Sequence, residues 1–78
     1  MPKFVPIPPR KLIKILVELG FVELRVRGSH HFFCNLNTKK TTVVPIHGNE
    51  PLGIGIVKEI LKDIELSFDE YEKFRRKI

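Results

Sequence analysis

Phe21-Val22-Glu23-Leu24-Arg25-Val26-Arg27-Gly28-Ser29-His30-His31-Phe32-Phe33-Cys34 is the stretch that decides the fold. In its first half Val22, Leu24 and Val26 alternate with Glu23, Arg25 and Arg27, the two-residue repeat of a half-buried strand. Gly28-Ser29 supplies turn chemistry, and a second strand runs from His30 to Cys34. Alternation sends His30, Phe32 and Cys34 to one face of the sheet and His31 and Phe33 to the other. One histidine therefore points toward whatever covers the sheet, and its neighbour points away.

Downstream, Asn35-Leu36-Asn37-Thr38-Lys39-Lys40 is rich in turn formers, and Thr41 to Ile46 is a β-branched third strand closed by a proline. Two short connections in series predict an antiparallel three-stranded meander. Upstream, the prolines at 2, 6, 8 and 9 disfavour helix, although Pro9 can occupy a first helical turn, where no N–H donor is required. Leu12, Ile13, Leu16 and Leu19 then share one face of a helix over Arg10–Leu19, and Gly20 stops it. Beyond the loop His47–Pro51, Ile56, Val57, Ile60, Leu61 and Ile64 recur at helical spacing over Ile54–Ile64. Ser67-Phe68-Asp69-Glu70 matches a capping box and predicts a last short helix over about 68–76, docking through Phe68, Tyr71 and Phe74 or serving a partner. The order α-β-β-β-α plus a C-terminal helix is an α+β domain of two layers, with both main helices on one face of the sheet and the other face open.

With 78 residues the chain has room for one domain, spanning 1–78 with a core at 9–66 and the C-terminal helix at 67–78. That length excludes two-domain enzymes and barrels. Hydrophobic residues make up 42%, and the single cysteine, Cys34, has no internal partner, so packing alone must hold the fold. No apolar run approaches the roughly 20 residues of a membrane span, and the N-terminus lacks a signal peptide's apolar stretch. A reducing, cytoplasmic compartment is the simplest expectation. The net charge is +5, and its placement matters: residues 1–50 hold eight basic and three acidic side chains, whereas residues 51–78 hold six of each. An anionic ligand is expected to meet the first half.

No Walker loop, dinucleotide fingerprint or serine elbow is present. Metal binding is poorly supported, because His30 and Cys34 on one face still lack a further ligand. Arg27-Gly28-Ser29-His30-His31 is the richest cluster. Spacing alone leaves two readings: both histidines are structural filler, or one transfers protons near neutral pH beside Arg and Lys groups. His47, just past strand three, is either an accessory group or a residue that orders its loop. Ser29 reads as a turn residue rather than a nucleophile, Gly28 as a backbone requirement, and Cys34 as a small strand hydrophobe.

Gly28-Ser29-His30-His31-x-Phe33, then Thr42-Val43-Val44-Pro45-Ile46-His47-Gly48-Asn49, then Leu52-Gly53-x-Gly55-x-Val57-Lys58-x-Ile60-Leu61-Lys62, resembles the HicA toxins, also called the YcfA-like family. The resemblance runs from about Pro9 to Phe74. It implies a small ribonuclease with a double-stranded-RNA-binding-domain-like fold that cleaves messenger RNA and is neutralised by a HicB antitoxin. It also maps the family's catalytic histidine, which follows the Gly-Ser pair, onto His30. Phe32 departs from the polar residue common in the family, and Ile54-Gly55-Ile56-Val57 departs from a common Gly-Thr-Leu pattern. An aromatic beside the histidine either stacks an unpaired base, worth about 1–3 kcal/mol, or covers apolar surface or an antitoxin contact.

Together these point to metal-independent, cofactor-free RNA cleavage through the substrate's own 2′-hydroxyl, with His30 as general acid or base. Gly28, Ser29, Arg25, Arg27, Phe32, Lys39 and Lys40 are the candidate RNA-binding residues, the cations holding phosphate. Arg25 and Arg27 share a strand face, which need not be the face of His30. A non-cleaving RNA-binding module and a purely protein-binding subunit are the other two readings.

Overall fold

The computed structural model describes residues 3–78; Met1 and Pro2, the start of the proline-rich opening, lie outside the described residues. Helix α1 (Pro9–Glu18) starts where the sequence can start one, with Pro9 in its first turn. It buries Pro9, Leu12, Ile15 and Leu16. Its end is fixed by two residues acting together. Gly20 adopts φ +95°, and the Asn35 side-chain nitrogen lies 3.4 Å from where a Cβ on Gly20 would stand. That nitrogen donates to the Leu19 carbonyl at 3.0 Å, while the Asn35 side-chain oxygen accepts from the backbone of Asn37 and Thr38. One buried amide thus satisfies the helix end and shapes the next turn.

Strands β1 (Phe21–Arg27), β2 (His30–Asn35) and β3 (Thr41–Pro45) form an antiparallel sheet in the order β1-β2-β3. After it, Leu52 pairs with Ile7 in an isolated bridge that ties the N-terminal segment to the start of α2 (Ile54–Ile64). Val57, Ile60, Leu61 and Ile64 of α2 join Phe33, Val44 and the α1 residues in one buried cluster. Each such side chain contributes about 1.5–3 kcal/mol when fully buried. Thr42, buried on β3, donates to Asp63 of α2 at 3.0 Å, so the polar contact between the layers is satisfied.

Helix α3 (Phe68–Lys77) is capped by Ser67, whose hydroxyl accepts from the Glu70 backbone N–H at 3.1 Å. The Glu70 carboxylate returns to the Ser67 hydroxyl, also at 3.1 Å, where the sequence pattern predicts a return to the backbone. Tyr71 is fully buried, with Phe68 and Phe74 packed half-buried at the core's margin. The rings of Phe4 and Phe68 meet edge to face at 4.7 Å, so the N-terminal segment and α3 pack on each other. Among the described residues, no helix is long and apolar enough to cross a membrane.

The element order is therefore α-β-β-β-α-α, an α+β arrangement consistent with a double-stranded-RNA-binding-domain-like fold. One local expectation fails. Val22, Leu24 and Val26 were the predicted apolar face of a half-buried strand, yet they are 44%, 59% and 50% exposed, and Phe21 is the only buried residue of β1. A bulge displaces Val22 and Leu24, while Val26 stays opposite His31 and is exposed at the sheet's edge. Glu23 pairs with Phe33 but Arg25 pairs with Phe32, leaving Leu24 as an extra residue on β1. The strand lies at the sheet's edge, where such irregularities concentrate.

Candidate functional site

Residues directly opposite each other in an antiparallel sheet share a face. On the helix-covered face, Phe33 lies between Glu23 and Thr42, and His31 between Val26 and Val44. On the open face, Phe32 lies between Arg25 and Val43, and His30 between Arg27 and Pro45. The two-residue turn Gly28-Ser29 sets the register at its own end, so Arg27 falls opposite His30 and Arg25 opposite Phe32. The bulge acts beyond Leu24, where it moves Glu23 from the open face to the covered face, opposite Phe33.

The side chains agree with the register. The Arg25 guanidinium carbon sits 4.7 Å from the Phe32 ring centroid, a cation–π contact that holds the charge upright on the open face. His30 is exposed and Phe32 half-buried, and the two are neighbours along one face of β2, about 7 Å apart in rise. Gly28 makes the turn before His30. It takes φ +61° while Ser29 does not have positive φ, as a two-residue hairpin loop with glycine first requires. The Ser29 carbonyl accepts from the Ile46 N–H at 2.8 Å, so β3 pins the turn that presents His30.

The two histidines have different surroundings. His31 Nδ1 lies 2.6 Å from the Glu23 carboxylate, on the helix-covered side. Among the described residues, His30 has no side-chain hydrogen bond or ion pair, so its ring is free to meet a ligand. Spacing alone could not separate the two roles; the covered face and the carboxylate mark His31 as structural.

Arg25, Arg27, Gly28, Ser29 and Phe32 are thus gathered around His30, as the sequence grouped them. Lys39 and Lys40 are not. They belong to the β2–β3 connection, at the opposite end of β2, roughly 17 Å along the strand from His30. Lys39 takes φ +65° in that turn, and the Lys40 ammonium stands 3.9 Å from the Glu65 carboxylate beyond α2. His47 lies at the same end of the sheet as His30, two residues past Pro45, and is exposed; its carbonyl accepts from Glu50 N–H at 3.0 Å in the loop turn. Val43 and Pro45, which flank Phe32 and His30 on the β3 side, were not singled out from sequence, although their place in the third strand's alternation marks that face.

The described residues contain no group of three or more His, Cys, Asp or Glu side chains placed to hold a metal ion. What the face does hold is one free imidazole, two guanidinium groups and an aromatic ring in adjacent register. That set suits a flexible polyanion with unpaired bases: cations for phosphate, a ring for stacking, and an imidazole able to accept or donate a proton.

Comparison with curated proteins and with solved structures gave no match. A family model, described as the HicA toxin of bacterial toxin–antitoxin systems, matches residues 9–66. That span runs from the first residue of α1 to just past α2 and contains the whole sheet. Turn, histidine and sheet all lie inside the match, and the chain belongs to the HicA toxin family.

Proposed function

We propose that the open sheet face is a ribonuclease site that cleaves single-stranded messenger RNA, with His30 as its general acid–base group. Membership of a toxin family supports a toxic activity and an antitoxin partner. The observation that carries the reading further is the juxtaposition of His30 with Arg27 and of Phe32 with Arg25 on one face.

In this reaction His30 takes the proton of a ribose 2′-hydroxyl as that oxygen attacks the adjacent phosphorus. The new 2′-O–P bond forms while the P–O5′ bond breaks, and the departing 5′ oxygen takes a proton from the protonated imidazole or from water. Arg27, the cross-strand neighbour of His30, offsets the charge that builds on the phosphoryl oxygens. Phe32 stacks the base next to the reacting phosphate, and Arg25 adds a phosphate contact. Gly28 and Ser29 set the turn. Lys39 and Lys40, at the far end, serve only a long strand crossing the whole face. His47 is an accessory group at the near end. The chemistry uses no metal or cofactor and takes place in the cytoplasm. A HicB-type antitoxin inhibits by covering His30 and its arginines.

One observation favours a second reading, an RNA-binding face that does not cleave: among the described residues no carboxylate orients His30, whereas one does hold His31. A single assay separates the two. Single-stranded RNA is incubated with the protein in EDTA, and cleavage and retention are both measured, for the native chain and for His30→Ala. Cleavage that disappears with His30 supports the nuclease; retention without products supports the binding module.

A further inference from the structure

A groove opens at the histidine end of the sheet, between the start of α1 and the segment that follows β3. Pro9, Ile13 and Ile46 line it as an apolar floor, and the exposed Arg10, Gly48 and Asn49 stand around it, enclosing about 380 Å³. One of its lining residues is hydrogen-bonded to the turn that carries His30. Ile46 forms part of the groove, and its N–H donates to the Ser29 carbonyl at 2.8 Å; Pro45, the residue before it, lies opposite His30.

We propose that this groove holds the nucleotide next to the one at His30, in unpaired RNA. The inference rests on reading the open face as an RNA site and adds a second subsite to it. The chemistry of the groove fits one nucleotide. Apolar side chains suit the flat face of a base, the Asn49 amide carries both a donor and an acceptor for a base edge, and the Arg10 guanidinium suits a phosphate. Lys14, one helical turn beyond Arg10, extends the positive charge along α1. Only an unpaired base can lay its face on this floor, so the groove selects against duplex.

The test uses the full chain carrying His30→Ala, which prevents turnover, and fluorescein-labelled oligouridylate, with binding followed by anisotropy over a range of salt. Adding Arg10→Ala is expected to weaken binding about fivefold near 0.1 M salt and to flatten the dependence of log affinity on log salt by about 0.7, the loss of one phosphate contact. Lys62→Ala, an exposed cation on α2, changes neither. With His30 restored, Asn49→Ala flattens base preference at the position flanking the cut in a random-sequence pool and leaves other positions as they were. Arg10→Ala binding as tightly as Lys62→Ala overturns the groove alone. If the parent retains no RNA even at low salt, the open-face reading falls together with it.

Discussion

The two faces of the sheet use the same six residues of β2 for opposite ends. On the covered face Phe33 is 2% exposed and Asn35 5%, each fixed by helix packing or by hydrogen bonds to backbone. On the open face His30 and Phe32 sit between two arginines and two residues of β3, with no helix above them. The covered face explains why the chain folds, and the open face has few packing duties to explain its composition. Residues that packing does not require are the ones whose chemistry calls for a ligand.

That contrast can be broken from either side. The largest effect belongs to the covered face: Phe33→Ala is expected to cost about 3–5 kcal/mol in a urea unfolding curve, since the ring leaves a cavity among α1, α2 and β3 side chains. The same truncation one residue earlier, Phe32→Ala, should leave the unfolding midpoint nearly in place and weaken single-stranded RNA binding by about 1–3 kcal/mol. A large loss of stability from Phe32→Ala, with RNA affinity intact, would turn the open face into ordinary surface packing.

A smaller effect tests how completely the covered side is satisfied. The Tyr71 hydroxyl is buried without a hydrogen-bond partner among the described residues. Tyr71→Phe should therefore match or exceed the native stability by up to about 1 kcal/mol at neutral pH. Burial also raises the Tyr71 pKa above its ordinary 10.0, because the phenolate loses its solvation. The neutral phenol's contribution is thus intact below pH 10 and is lost as pH rises through the higher folded-state value. Alkaline unfolding of the native chain should begin at lower pH than that of Tyr71→Phe. Coincident curves would show that the phenol ionises as readily in the folded chain as in the unfolded one.

Most of the architecture is legible in the sequence. Leu12, Leu16, Ile60 and Ile64 announce their helices by spacing, and Ser67 and Glu70 announce a cap, because these signals are local. Which of the two histidines faces outward is not legible in the alternation, which separates the faces but does not say which one the helices cover; only the family resemblance points to His30 outside and His31 with Phe33 inside, as the structure has them. The bulge was hidden more thoroughly. Val22-Glu23-Leu24-Arg25-Val26 alternates without a flaw, yet pairing with β2 skips Leu24, and the pairing is set by tertiary packing of Phe21 and Phe33 rather than by β1 itself. The position of Glu23 beside His31 and Phe33 is therefore a property of two strands together, whereas Arg27 and Arg25 fall opposite His30 and Phe32 because the Gly28-Ser29 turn is two residues long. The distance of Lys39 and Lys40 follows from topology: a meander puts consecutive turns at opposite ends of the sheet, which a count of nearby cations does not register.

The two adjacent histidines are the sharpest form of the comparison, and their exchange for alanine tests the central claim most directly. Cleavage of single-stranded RNA in EDTA is to be measured for the native chain, His30→Ala and His31→Ala, each checked for a native unfolding midpoint. The account predicts that His30→Ala loses about 10²–10⁴ in rate, the usual worth of a general acid–base group, while His31→Ala keeps most of it. Equal rates for His30→Ala and the native chain, or a loss confined to His31→Ala, would contradict it.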